Sequence, residues 1–60
     1  MKFSYQLKKE RQRLGLTQAE LATVLSVSKS AIEKWEYGTK TPIVVAQEGA
    51  LARLRKLKKR

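Results

Sequence analysis

Between Ser28 and Gly38 the sequence reads SKSAIEKWEYG, and its polar side chains recur at helical spacing. At about 100° per residue, Lys29, Ser30, Glu33, Lys34 and Tyr37 share one side of a helix. Ala31, Ile32, Trp35 and Glu36 share the other. The first set offers two ammonium groups, a hydroxyl, a phenol and one carboxylate, which suit hydrogen bonding to a polar, anionic surface. The second set is a core face with a carboxylate at its edge. Bond-making chemistry has little to build on. The 60 residues contain no cysteine and no histidine, which excludes disulfides and any thiolate or imidazole metal site. The five acids are all glutamates, scattered along the chain, so no general base or nucleophile stands out. The chain is expected to be no enzyme, to hold no metal and to need no cofactor.

The net charge of +9 is unevenly spread. Residues 1–13 carry Lys2, Lys8, Lys9, Arg11 and Arg13 against Glu10, residues 14–52 are close to neutral, and residues 53–60 carry six cations and no acid. Basic flanks around a neutral middle suit a polyanionic partner gripped by the flanks, although such runs also serve as solvated tails. Charge by itself leaves nucleic acid and membrane surface equally open. The chain has no transmembrane run and no apolar core of a signal peptide, so a cytoplasmic, nucleoid-associated location is expected.

Caps and periodicity predict the elements that carry these groups. A first helix spans Ser4 to Leu14, with Ser4 as N-cap, Leu7 and Leu14 on one face, and Gly15 as terminator. Thr17-Gln18-Ala19-Glu20 forms a capping box that opens a second helix, with Leu16 and Leu21 as its hydrophobic staple. Leu21, Ala22, Val24 and Leu25 give that helix one apolar arc. Ser28 caps a third helix over 28–37, and Val27 and Ile32 form a second staple. Only Ser26, Val27 and Ser28 separate the two, so residues 17–38 read as a helix-turn-helix unit. Thr41 as N-cap and Pro42 in the first turn predict a basic C-terminal helix over 42–57, followed by a tail at 58–60. Ile43, Val44, Ala46, Ala50, Leu51, Leu54 and Leu57 form its broad apolar stripe, with Gly49 opposite. A chain of this length buries only about 60% of its unfolded surface, so the expected architecture is all-α: one compact domain of about four helices spanning 1–60.

The stretch LTQAELATVLSVSKSAIEKWEYGTKTP resembles the helix-turn-helix of the Cro and lambda-repressor (Xre-type) family, the likeness covering roughly residues 5–42. With Gln18 as first position, Ala22 is fifth, Ser26 ninth, Ile32 fifteenth and Trp35 eighteenth. Two departures stand out. The ninth position is usually glycine, because the turn wants a left-handed backbone; Ser26 adopts that at a cost of roughly 1 kcal/mol. Family members usually have five helices, and this chain has room for four.

The resemblance implies that the third helix reads the major groove of double-stranded DNA. Lys29, Ser30 and Lys34 match the positions that reach base edges, where lysine favours guanine O6 and N7. Gln18, Thr39, Lys40 and Tyr37 match or suit contacts to the phosphate backbone, Gln18 because it opens a helix. Each of these has a plainer reading. The lysines also suit plain solvation, and Tyr37 equally suits covering Trp35, itself a core residue. The spacing of Glu33 to Lys29 favours an i,i+4 pair over a contact with a cytosine amine. The resemblance also pairs Arg11 with Glu36 as a structural ion pair, since a carboxylate on an apolar face needs a partner.

The expected function is that of a homodimeric transcriptional repressor or autoregulator of a palindromic DNA site, dimerising through the C-terminal helix. A toxin or other protein partner fits such a role too. Two alternatives are a non-specific architectural DNA binder and a module whose C-terminal helix docks on a partner or membrane. The latter leaves the capping box, the short turn and the split third helix without a purpose.

Overall fold

A computed structural model describes residues 2–58. It contains four helices, α1 (Phe3–Leu14), α2 (Gln18–Leu25), α3 (Lys29–Tyr37) and α4 (Val44–Arg55), and no strand among the described residues. The fold is all-α. Its core draws on every helix: Phe3, Leu7 and Leu14 from α1, Leu21 and Ala22 from α2, Ile32 from α3, and Leu51 and Leu54 from α4. Leu16, Val24, Leu25, Val27, Trp35 and Ala50 pack around this centre. At roughly 1.5–3 kcal/mol for each large apolar side chain removed from water, these few residues are the main favourable term available to the chain.

Two helix starts differ from the sequence expectation. Ser4 is not the N-cap of α1; Lys2 is, through its backbone, and Ser4 lies inside the helix. Starting two residues earlier buries the Phe3 ring edge-on against Trp35, with centroids 6.1 Å apart at 67°. Burying a phenylalanine outweighs a serine cap worth about 1 kcal/mol. The C-terminal helix runs over Val44–Arg55 rather than 42–57, with Ile43 as N-cap. The Gln47 side-chain amide donates to the Pro42 carbonyl at 2.7 Å, holding that carbonyl out of the helix in place of a Thr41 cap. At the other end the Arg13 guanidinium donates to the carbonyls of Leu54 (3.1 Å) and Leu57 (3.5 Å), satisfying groups a longer helix would have used. Lys59 and Arg60 of the expected tail lie outside the described residues.

The apolar stripe of α4 also divides. Leu51 and Leu54 are buried and Ala50 half-buried, whereas Ile43, Val44 and Ala46 are exposed. The first turn of α4 therefore overhangs the core. Ile43 and Val44 continue the buried face beyond the point where α1 lies beneath it.

The turn between α2 and α3 follows its caps. Thr17 and Glu20 make both bonds of the capping box, and the Ser28 hydroxyl accepts from the Ala31 amide. Ser26 sits at φ 58°, ψ 41°, closing α2 through Ser26 N–H to Thr23 O and Val27 N–H to Ala22 O. The corresponding positions after α1 and α3 are Gly15 and Gly38, both left-handed. Serine alone of the three bears a Cβ against that conformation, at about 1–2 kcal/mol, while glycine in its place restores chain entropy to the unfolded state. The Ser26→Gly variant is expected to gain about 0.5–1 kcal/mol, raising the midpoint of thermal unfolding by about 3–6 °C. A lower midpoint would show that the serine does something the backbone does not.

Candidate nucleic-acid interface

The site is built around a carboxylate. Glu36 lies on the inner side of α3, its side chain only 5% exposed. Arg11, from α1, meets it with both arms of the fork: Nε donates to Oε2 at 2.7 Å and a terminal nitrogen to Oε1 at 3.1 Å. The other terminal nitrogen of Arg11 donates to the Leu16 carbonyl at 3.0 Å, which holds the α1–α2 loop. The Gln18 side-chain amide adds a third donor to Glu36, reaching Oε1 at 3.2 Å. Three segments of chain thus converge on one carboxylate, which fixes both the rotation of α3 about its axis and the placement of the α2 N-terminus beside it. A planar guanidinium facing a carboxylate in two parallel bonds is the geometry that best offsets the desolvation of both charges.

That rotation turns Lys29, Ser30, Glu33, Lys34 and Tyr37 to solvent, and Ile32 inward. Lys29 and Glu33 pair at 3.9 Å with both side chains more than half exposed, a separation at which the attraction is worth little. Next to α3 lies a cleft of about 450 Å³, lined by Lys8, Gln18, Glu33, Lys34, Glu36, Tyr37 and Thr39. It gathers side chains from α1, α2, α3 and the following loop. Lys8 and Lys34 form no ion pair among the described residues, while of the two acids that line the cleft Glu36 is held by Arg11 and Glu33 faces Lys29. The amides at the start of α2 add the positive end of a helix dipole.

Of the residues singled out from the sequence, the structure brings Gln18, Lys34, Tyr37 and Thr39 to this cleft. It places Lys29, Ser30 and Lys40 on the exposed surface outside the cleft. Gln18 faces Glu36 and is half-buried, so its amide is turned inward. Tyr37 is 87% exposed and does not cover Trp35. Lys8 was not singled out. Its signal is its position one helical turn before Arg11: once Arg11 faces α3, Lys8 must lie on the same side of α1.

The arrangement can grip an anionic backbone with Lys8 while presenting Lys34 and the donors at the start of α3 to whatever lies between the phosphates. Among the described residues no cluster of acids, histidines or cysteines could hold a metal ion, and no helix is long and apolar enough to cross a membrane. A family model described as "Helix-turn-helix" matches residues 7–43, more than half of the chain. No curated protein and no solved structure matches the chain.

Removing the carboxylate at the centre strands Arg11 in a half-buried setting. Glu36→Ala is expected to lose about 3 kcal/mol, at the low end for a buried pair because Arg11 keeps some exposure. Thermal denaturation followed by circular dichroism would read this as a midpoint lower by more than about 10 °C. An unchanged midpoint would remove the clamp from its structural role.

Proposed function

Since the chain belongs to the Cro/lambda-repressor-like (Xre-type) helix-turn-helix family, a DNA-binding family of transcription regulators, we propose that it is a sequence-specific repressor or autoregulator acting as a homodimer. In this reading α3 enters the major groove. Lys29, Ser30 and Lys34 meet base edges, the lysines favouring guanine. Lys8, Tyr37, Thr39 and Lys40 meet phosphates. Gln18 contributes through the amide at the start of α2, since its side chain is held by Glu36. The observation that carries this reading is the split of α3: a face clamped against the core through Glu36 and an opposite face of exposed donors, among which the one ion pair, Lys29 with Glu33, is long and exposed.

The overhang of α4 supports the dimer. Ile43, Val44 and Val45 are 75%, 64% and 74% exposed. Three adjacent β-branched residues left in water at the start of a helix suit a second copy that extends the same apolar stripe across a two-fold axis. The patch lies in the near-neutral middle of the sequence, so two strongly basic chains meet there with the least repulsion.

Selection from random duplex DNA at physiological salt is expected to recover a palindrome bound at least about a thousandfold tighter than a scrambled control. Lys34→Ala should weaken that site by about 5- to 150-fold while weakening random duplex much less. Equal loss on both would make Lys34 a phosphate contact. Enrichment of no sequence, with steeply salt-dependent binding throughout, would instead make the protein an architectural binder. Val44→Glu is expected to give a monomer in sedimentation equilibrium at concentrations where the parent is dimeric, with its helical signal intact. Unchanged mass would place the two-fold elsewhere.

A further inference from the structure

The basic residues do not all face the recognition helix. On α1, Lys8 lines the cleft beside α3, but Lys9 is turned by about 100° around the helix, toward α4. There a second cleft of about 260 Å³ opens between α1 and α4, lined by Tyr5, Gln6, Lys9, Glu10 and Arg55. The Lys9 ammonium stands 5.7 Å from the centroid of the half-exposed Tyr5 ring. Glu10, the acid of this cleft, is already bonded to Arg13 at 2.8 Å. The same Arg13 reaches over to the carbonyls of Leu54 and Leu57 and draws the C-terminal end of α4 onto α1. The two basic flanks, separated by some forty residues of near-neutral sequence, are thereby packed side by side.

Gathering like charges costs free energy unless something neutralises them. Part of the gathering has an internal explanation. Arg13 donates to carbonyls at the end of α4, and Arg53 donates to the Val24 carbonyl at the end of α2, where helix dipoles favour cations. Arg55, in the last turn of α4, shares that favour of the dipole, and Lys9 has the Tyr5 ring beside it, but neither cation meets an acid among the described residues. With Lys56 exposed beside them, they leave a cationic face carrying an amide and a phenol as further donors.

We propose that this α1–α4 face binds the phosphate backbone of a second DNA duplex, so that the protein bridges two segments of DNA. The inference rests on the reading that α3 and its cleft bind the first duplex. The second face lies on another side of α1 and shares no lining residue with that cleft. A membrane is the poorer fit. The most exposed aliphatic residues, Ile43, Val44 and Val45, lie at the other end of α4, about 16 Å along the helix from Arg55, and only the Tyr5 ring and the partly exposed Leu57 lie near the cations.

The test is co-capture by the full-length protein. One duplex of random sequence is fixed to beads, protein is added at physiological salt, and retention of a second, fluorescent random duplex is measured. Two random duplexes keep the readout independent of any preferred site, so failure to find a site and failure to bridge remain separate results. The parent protein should retain the second duplex. The K9Q/R55Q variant, altered only at exposed side chains, should bind a single duplex within about twofold of the parent and lose at least about tenfold of the co-capture, because phosphate contacts act steeply on affinity. Three results would overturn the proposal: no co-capture by the parent, co-capture retained in K9Q/R55Q, or single-duplex affinity falling in that variant by as much as co-capture. Binding to phosphatidylserine vesicles that is lost in K9Q/R55Q, without co-capture of DNA, would assign the face to anionic lipid instead.

Discussion

One carboxylate on the inner side of α3 sets the terms for the rest of the molecule. Glu36 is nearly buried, and a buried charge without partners is one of the most costly things a small fold can contain. Here it has three donors, from Arg11 and Gln18, so the cost becomes a constraint on geometry. Hydrophobic packing at Ile32 alone would allow α3 to roll or slide, because apolar contacts are non-directional. A bidentate guanidinium does not allow it. The orientation of Lys29, Ser30 and Lys34 toward solvent is therefore decided on the opposite side of the helix, by groups that need not touch a partner.

The same economy appears at the helix ends. In a protein with so little core, orphan carbonyls and amides cannot be left to burial alone, and several are met by side chains from other elements. Arg11 holds the Leu16 carbonyl, Arg13 those of Leu54 and Leu57, and Arg53 that of Val24. These arginines act as cross-ties between elements as well as charges. Part of the basic character of the two flanks is thus structural, and other cations there, Lys8, Lys9 and Arg55 among them, face outward.

The helix-turn-helix was legible because its signals are local. A capping box, two hydrophobic staples and a three-residue turn each act within a few residues, and the observed bonds at Thr17, Glu20 and Ser28 are the ones those motifs specify. The ends of α1 and α4 were less legible. Ser4 is a good cap by type, yet the helix starts earlier because Phe3 has Trp35 to pack against, thirty-two positions away in the chain. Thr41-Pro42 is a good helix start by type, yet Gln47 takes the Pro42 carbonyl. In both cases a local preference worth about 1 kcal/mol met a competing interaction of equal or greater strength.

By itself the sequence determined the class of fold, the placement of α2 and α3, the donors on the outer face of α3, and the exclusion of thiol and imidazole chemistry. These follow from residue type and from periodicities that persist whatever the helices pack against. Tertiary structure alone decided three things. It divided the α4 stripe into a buried half and an overhanging half, because burial depends on what lies beneath a helix and not on its own pattern. It turned the Gln18 amide inward to Glu36 and brought Lys8 to the recognition cleft. It also folded the two basic flanks onto one another, since only the packing of α4 on α1 brings Lys9 and Arg55 to one cleft.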